Sequence, residues 1–256
     1  AADGDWRWLE TVAQNRLDDP LIKGIVVNTR DITARVQAEE LLKATEKRRS
    51  DQLMRSVEEM VTVLATLSEG HDPVCAGNQA RVAQLVAAIA AELHLDADIA
   101  RGISIAASIH DVGTIAVAAA VLQRPGPLDE AERALVRQHP QRGHDLVEGI
   151  EFPWPVAEMI LQHHERLDGS GYPAHLVGSS IGLGARVIAV ADVVEAISSP
   201  RPYRPALGIT AALEFVSQQK GVLFDADVVD ACVRVFLERG FAFTSAPLLA
   251  HETASA

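Results

Sequence analysis

The stretch Ile99-Ala100-Arg101-Gly102-Ile103-Ser104-Ile105-Ala106-Ala107-Ser108-Ile109-His110-Asp111-Val112-Gly113 decides the fold. Ile99 to Ile109 reads as an apolar helix that ends on a His-Asp pair. Outward from it the same texture recurs. Val82 to Leu93, Pro155 to His164, Arg186 to Ile197, Ala211 to Gln219 and Asp227 to Glu238 all read as helices. Asp129 to Gln138 reads as an amphipathic helix stopped at Pro140. Pro155 suits a first helical turn, and Trp154 between Pro153 and Pro155 is expected to anchor that start. From Asp72 to about Gly240 the pattern is helical almost throughout, so the fold class is mainly α, a helical bundle.

Composition narrows what such a bundle can do. With 256 residues, the chain holds one or two domains at roughly 150 residues each. Apolar residues make up 48% and aromatics only 4%, which suits helix packing on Ala, Val, Leu and Ile. A net charge of −12 argues against capture of DNA or RNA polymers and against a polybasic membrane-surface module. No apolar run is long enough to span a membrane, and no signal peptide is visible. Cys75 and Cys232 make no disulfide framework and read as buried small apolar residues, so the expected compartment is the cytoplasm.

The N-terminal region is different. Trp6, Trp8 and the run Gly24 to Asn28 read as two strands joined by a polar loop with Asp18, Asp19 and Pro20. Two strands alone are marginal in water, so this β-hairpin reads as the remnant of a larger domain. Residues 33 to about 69 read as one long helix, capped by Asp31 or Thr33. Its apolar stripe is Val36, Leu41, Leu42, Leu53, Val57, Met60, Val61, Leu64 and Leu67, interrupted by the polar stretch Lys43 to Gln52. Two readings stand side by side: a solvated connector, or a dimeric signalling helix.

Six side chains point to chemistry: His110, Asp111, His139, His163, His164 and Asp192. Asp192 lies inside Ile188-Ala189-Val190-Ala191-Asp192-Val193-Val194, where a carboxylate is costly to bury unless paired or metal-bound. Neighbouring helix residues point about 100° apart. His163 and His164 therefore both reach one site only at a helix terminus. The Asp111 carboxylate can bridge two ions while His110 binds one. Four histidines and two aspartates suit Fe, Mn or Zn better than Ca or Mg. Two ions about 3.5–4 Å apart are a recurring device for in-line attack on a phosphodiester. The glycine-rich segment Glu165-Arg166-Leu167-Asp168-Gly169-Ser170-Gly171-Tyr172-Pro173 follows directly as a shaped loop, a lip over the substrate.

Taken together, His110-Asp111-Val112-Gly113, His139-Pro140 with Gly143, His163-His164-Glu165-Arg166, Asp168 to Pro173, and Asp192 with Arg201-Pro202-Tyr203-Arg204 resemble an HD-GYP domain. This is an all-helical branch of the HD phosphohydrolases. The resemblance implies a cyclic di-GMP phosphodiesterase giving linear pGpG and on to GMP, with His110 and Asp111 at its catalytic heart. It implies those six residues as ligands of two divalent ions, Fe or Mn. It implies Arg201, Arg204, Thr114, Asp168, Gly171, Tyr172 and Pro173 as substrate contacts. It also implies a homodimer through the linking helix and contact of the lip with diguanylate-cyclase-type domains. Arg30-Asp31-Ile32-Thr33 with Val36, Ala38, Glu39, Glu40 and Leu41 resembles the end of a PAS sensor domain. The organisation expected is therefore a sensor fragment over 1–33, a linking helix over 34–69, the catalytic domain over 70–241 and a flexible tail over 242–256.

Three positions depart from the family pattern. Thr114 stands where a phosphate-contacting Lys is usual, Asn78 replaces an early His, and Val74 replaces a Glu found where a third metal binds. Two metals are expected, not three. His71 is expected to be structural, and His94, His144, His175 and His251 match no ligand position. Two other functions stay open: a degenerate module that binds nucleotide or a partner without cleavage, and a phosphodiesterase for another cyclic nucleotide.

Overall fold

The computed structural model describes residues 6–71, 77–124, 126–200 and 205–244. Val74, Cys75, Arg201, Pro202, Tyr203, Arg204 and His251 lie outside the described residues, as does most of the expected tail. The chain divides into two compact units, Ala1–Ser56 and Val57–Ala256.

The first unit is an antiparallel hairpin of β1 (Leu9–Arg16) and β2 (Gly24–Asp31), with Leu9 opposite Asp31 and Arg16 opposite Gly24. Trp6 and Trp8 precede the first strand instead of forming it. The connecting loop turns on Asp19, whose side chain accepts from the Leu21 amide at 3.0 Å. Every residue of β1, and every residue of β2 after Gly24, is exposed, as a hairpin with nothing stacked on either face must be. Helix α1 (Thr33–His71) begins where Asp31, of the two candidate caps, accepts from the Thr33 amide at 3.0 Å. The expected apolar stripe is mostly in solvent: Leu41, Leu42, Leu53, Met60 and Leu67 are exposed, while Val61 is buried.

The second unit is helical. It takes the end of α1, with Val61, Ala65 and Ser68 buried, then α2 (Asn78–Glu92), α3 (Ala97–Ser108), α4 (Ala119–Leu122), α5 (Glu130–Val136), α6 (His139–Val147), α7 (Val156–Gln162), α8 (Leu183–Ser198), α9 (Gly208–Gln218) and α10 (Ala226–Leu237). A 3-10 turn, Val112–Ala116, follows α3. Helix α8 packs against α2, α3, α7, α9 and α10. Apart from Arg186, Asp192, Glu195 and Ser198 its sequence is apolar, which fits a helix enclosed along most of its length and overrides the weak helix propensity of its valines and isoleucines. Ile188, Val190, Ala191 and Val194 join Leu85, Ile89, Ile103, Ile160 and Val229 in the core.

Two local expectations need correction. Pro140 does not stop a helix; it sits in the first turn of α6, where its missing amide hydrogen has no intrahelical partner to lose. The helix before it, α5, ends earlier, and begins with a capping box between Asp129 and Glu132. Pro155 caps α7 from just outside the helix instead of lying in its first turn. Beside it Trp154 is buried, its indole N–H donating to Asp98 at 3.0 Å across to the start of α3. Cys232 is buried in α10, and burial pushes its thiol up to about 12. Among the described residues, no helix is long and apolar enough to cross a membrane.

Candidate metal centre

Each of the six side chains reaches the site from where a helix ends or is fully enclosed. Helix α3 stops at Ser108, so His110 and Asp111 leave the helical path and Asp111 opens the 3-10 turn. His139 is the first residue of α6. Helix α7 stops at Gln162, so His163 and His164 are freed from the helical angle that would part them. Asp192 projects from the middle of α8. The turn that carries Asp111 lies hard against α6, because Gly113 has no side chain: a Cβ there would be 2.0 Å from the His139 carbonyl oxygen.

Three of the four histidines share one hydrogen-bonding device. His110 Nδ1 is 2.8 Å from Ala107 O, His139 Nδ1 is 2.8 Å from Val136 O, and His163 Nδ1 is 2.6 Å from Ile160 O. A carbonyl oxygen only accepts, so each Nδ1 carries the hydrogen, and each neutral ring presents an Nε2 lone pair. These lone pairs converge. His139 Nε2 and His163 Nε2 are 3.3 Å apart. His110 Nε2 is fully buried without a hydrogen-bond partner among the described residues. Acceptors aimed at one another inside a protein call for a cation between them.

Asp111 divides the cluster in two. Its Oδ1 is 3.0 Å from His139 Nε2 and 3.7 Å from His163 Nε2. Its Oδ2 is 3.3 Å from His110 Nε2, which is in turn 3.8 Å from Asp192 Oδ1. One ligand atom each from Asp111, His139, His163 and His164 lie within 4.8 Å of one another, a group that fits a metal ion. Burial alone would lower the His110 pKa, but Asp111 first and Asp192 next outweigh it, and the net shift is well upward: the two carboxylates favour a cation at His110 Nε2, a proton or, on the neutral ring, a metal ion. Burial alone would raise Asp111, but His110, then His139 and His163, carry it well below the usual carboxylate range. Burial first, then the charge of His163 and His139, pushes His164 well down, which keeps that imidazole neutral and able to ligate.

The loop after His164 folds over the cluster. The Tyr172 ring stacks on the His164 ring with centroids 4.8 Å apart and planes at 28°. Burial first, then the Asp111 and Asp192 carboxylates, raise the Tyr172 phenol, so it stays protonated. Gly171 backs onto the chain so closely that a Cβ would meet the Arg166 amide nitrogen at 2.4 Å. The Tyr172-Pro173 peptide is cis. Asp168 is exposed and accepts from the Ser170 amide at 2.9 Å, so it shapes the loop's first turn. Thr114 lies beside the cluster, but its hydroxyl donates to the Asp111 carbonyl at 2.8 Å and sits 3.4 Å from Ser68 Oγ. Asn78 is buried at the start of α2, its Oδ1 without a partner among the described residues. His71 bonds the Val117 carbonyl at 2.7 Å, a structural role as expected.

Glu165, quoted in the motif but given no role by the sequence, supports the site. It is buried, and its two oxygens accept from the Ala174 amide at 2.7 Å and the Leu176 amide at 3.0 Å. It therefore pins the far end of the loop that carries Tyr172. Glu165→Gln places an amide NH2 against one of those backbone N–H groups. The expected cost is about 1–3 kcal/mol, read by urea unfolding with metal content unchanged. Glu195 was also passed over. It is fully buried on α8 and takes Arg81 Nη2 at 2.6 Å. Its signal was the one used for Asp192, a lone carboxylate among apolar helix residues.

The protein-family model described as "HD domain" matches residues 62–228. The chain is 41% identical over 178 residues to a cyclic di-GMP phosphodiesterase response regulator of Xanthomonas campestris, RpfG, covering 69% of this chain and 47% of that one. It is 36% identical over 169 residues to 3'3'-cGAMP-specific phosphodiesterase 3 of Vibrio cholerae, covering 66% of this chain and 36% of that one. The chain thus spans less than half the length of these curated relatives. Among solved structures, an HDG"Y"P protein from Bdellovibrio bacteriovorus superposes with a TM-score of 0.54 at 18% identity, over 64% of this chain and 53% of that one, a likeness of fold.

Proposed function

This chain belongs to the HD domain family, and on that footing we propose that it hydrolyses a cyclic dinucleotide, cyclic di-GMP first, to linear pGpG at a two-metal centre. The observation that carries the reading is the divided Asp111 carboxylate, with one oxygen toward His139 and His163 and the other toward His110. His139, His163 and His164 with Asp111 Oδ1 would hold one ion, and His110 and Asp192 with Asp111 Oδ2 the other. Iron or manganese suits this nitrogen-and-oxygen set.

When bound, such a pair supplies Lewis-acid activation of a phosphodiester and of water. The protein's own part is positioning. The three Nδ1 bonds to backbone carbonyls lock the imidazole rings before any ion arrives. Tyr172 covers His164, and Glu165 holds the lip that carries it. Asp168, Gly171 and Pro173 shape that lip. Arg201 and Arg204 are proposed phosphate contacts, and Thr114 acts there through the Asp111 backbone. Two ions, not three, are proposed, since Asn78 and Val74 offer poor ligands. The wider reading takes residues 1–33 as the end of a PAS-like sensor, 34–69 as a linking helix that pairs in a homodimer, 70–241 as the catalytic domain and 242–256 as a flexible tail. It places the protein in the cytoplasm, with a diguanylate-cyclase-type domain as partner of the lip.

The test is chromatography of products from cyclic di-GMP, 3'3'-cGAMP and cyclic di-AMP, with manganese-loaded and with chelator-treated protein. Linear pGpG from the loaded protein alone is expected. Nucleotide binding without product from any of the three favours the non-catalytic module, for which the commitment of Thr114 to the backbone is the observation.

A further inference from the structure

An acidic protein that takes a dianionic dinucleotide must concentrate positive charge at the mouth of its site. Among the described residues, two guanidinium groups flank the lip. Arg166 is committed inward. Its Nη1 donates to Glu165 O at 2.8 Å and His163 O at 3.3 Å, and its Cζ lies 5.1 Å from the Phe224 ring centroid. Arg137 is different. It is exposed, at the C-terminal cap of α5 and two residues before His139. Its guanidinium makes no hydrogen bond or ion pair with the described residues. Its Cζ lies 5.4 Å from the centroid of Tyr172, and the Tyr172 ring lies on His164. A free cation and a ligand-set imidazole are thus both in contact with one phenol ring. The bond from His139 Nδ1 to Val136 O fixes the turn from which Arg137 projects.

We propose that Arg137 is a substrate-binding residue of this centre, its guanidinium fork taking a phosphate of the dinucleotide beside the Tyr172 ring. The inference rests on the phosphodiesterase reading above. Three features single it out. The fork is planar and presents paired donors that match phosphate oxygens. Contact with the Tyr172 face holds the long side chain over the lip without using its N–H groups. Arg166, the alternative, has its Nη1 taken by two backbone carbonyls and its Cζ held against the Phe224 ring.

The experiment compares the manganese-loaded wild-type chain with Arg137→Ala and Arg137→Lys, on cyclic di-GMP and on the simple diester bis(p-nitrophenyl) phosphate. For Arg137→Ala, KM is expected to rise about tenfold or more, with kcat within about twofold, as loss of one charge-assisted contact requires. Metal content stays at the wild-type level, and Arg137→Lys recovers part of the KM because it keeps charge but loses the fork. An unchanged KM in Arg137→Ala on both esters overturns the proposal. So does a fall in kcat alone, or loss of metal, since either marks a support of the lip. If the wild type cleaves only the simple diester, the cyclic dinucleotide reading fails and the KM ratio on that ester still decides Arg137. A metal-loaded wild type inert on both esters overturns both.

Discussion

Asp111→Ala is expected to lower cyclic dinucleotide turnover by at least about a thousandfold, equivalent to roughly 4 kcal/mol of lost transition-state stabilisation. Asp111 contributes an oxygen to each half of the cluster, so its removal is expected to weaken both proposed ion sites at once. Metal content should fall with activity. The fold should survive, because Asp111 is only partly buried and the turn it opens is held by backbone contacts to α6. Asp111→Asn is the sharper variant. It keeps shape but turns one acceptor into a donor and removes the negative charge that faces His110. Elemental analysis, turnover and circular dichroism on the same preparations check this. Near-wild-type activity in either variant would remove Asp111 from the mechanism.

Gly113→Ala is expected to cost about 3 kcal/mol or more of stability, at the upper end for overpacking. Its new Cβ would meet the His139 carbonyl oxygen at 2.0 Å and the Gly143 amide nitrogen at 2.4 Å. Both are backbone atoms, so no side chain can swing aside. Relief requires the Asp111 turn to move off α6, which lengthens the 3.0 Å contact between Asp111 Oδ1 and His139 Nε2. Stability and metal content should therefore fall together. Gly149→Ala is the control: no heavy atom lies within 4 Å of its Cβ position, and its effect should stay within about 0.5 kcal/mol. Urea unfolding curves for the two variants decide it.

These two residues also show how far the sequence alone was readable. Asp111 stood out because a polar pair ended an apolar helix, and Asp192 because burying a lone carboxylate costs free energy. Gly113 was legible as part of a motif, but its reason is the approach of α6, which is a tertiary fact. Glu165 has the same character: its partners at Ala174 and Leu176 become neighbours only when the loop closes. Arg137 lay within a stretch read only as an amphipathic helix and carried no assigned role; only the fold brings its guanidinium to Tyr172. Thr114 read as a phosphate contact from its place in the motif, whereas its hydroxyl bonds the Asp111 carbonyl. The helix at His139 was missed because Pro140 reads as a stop signal unless it falls in a first turn. The long helix was legible throughout its length, but its apolar stripe is largely exposed, so periodicity alone did not say what it packs against.

The proposed phosphodiesterase centre would hold two ions, with Asp111 a ligand in each half. A stepwise manganese titration of chelator-treated protein tests it, with bound metal and cyclic di-GMP turnover measured at every step. No turnover is expected without metal, and a plateau only as the second ion per chain is filled. Undiminished turnover in the metal-free protein, or a plateau already reached at one ion per chain, would contradict it.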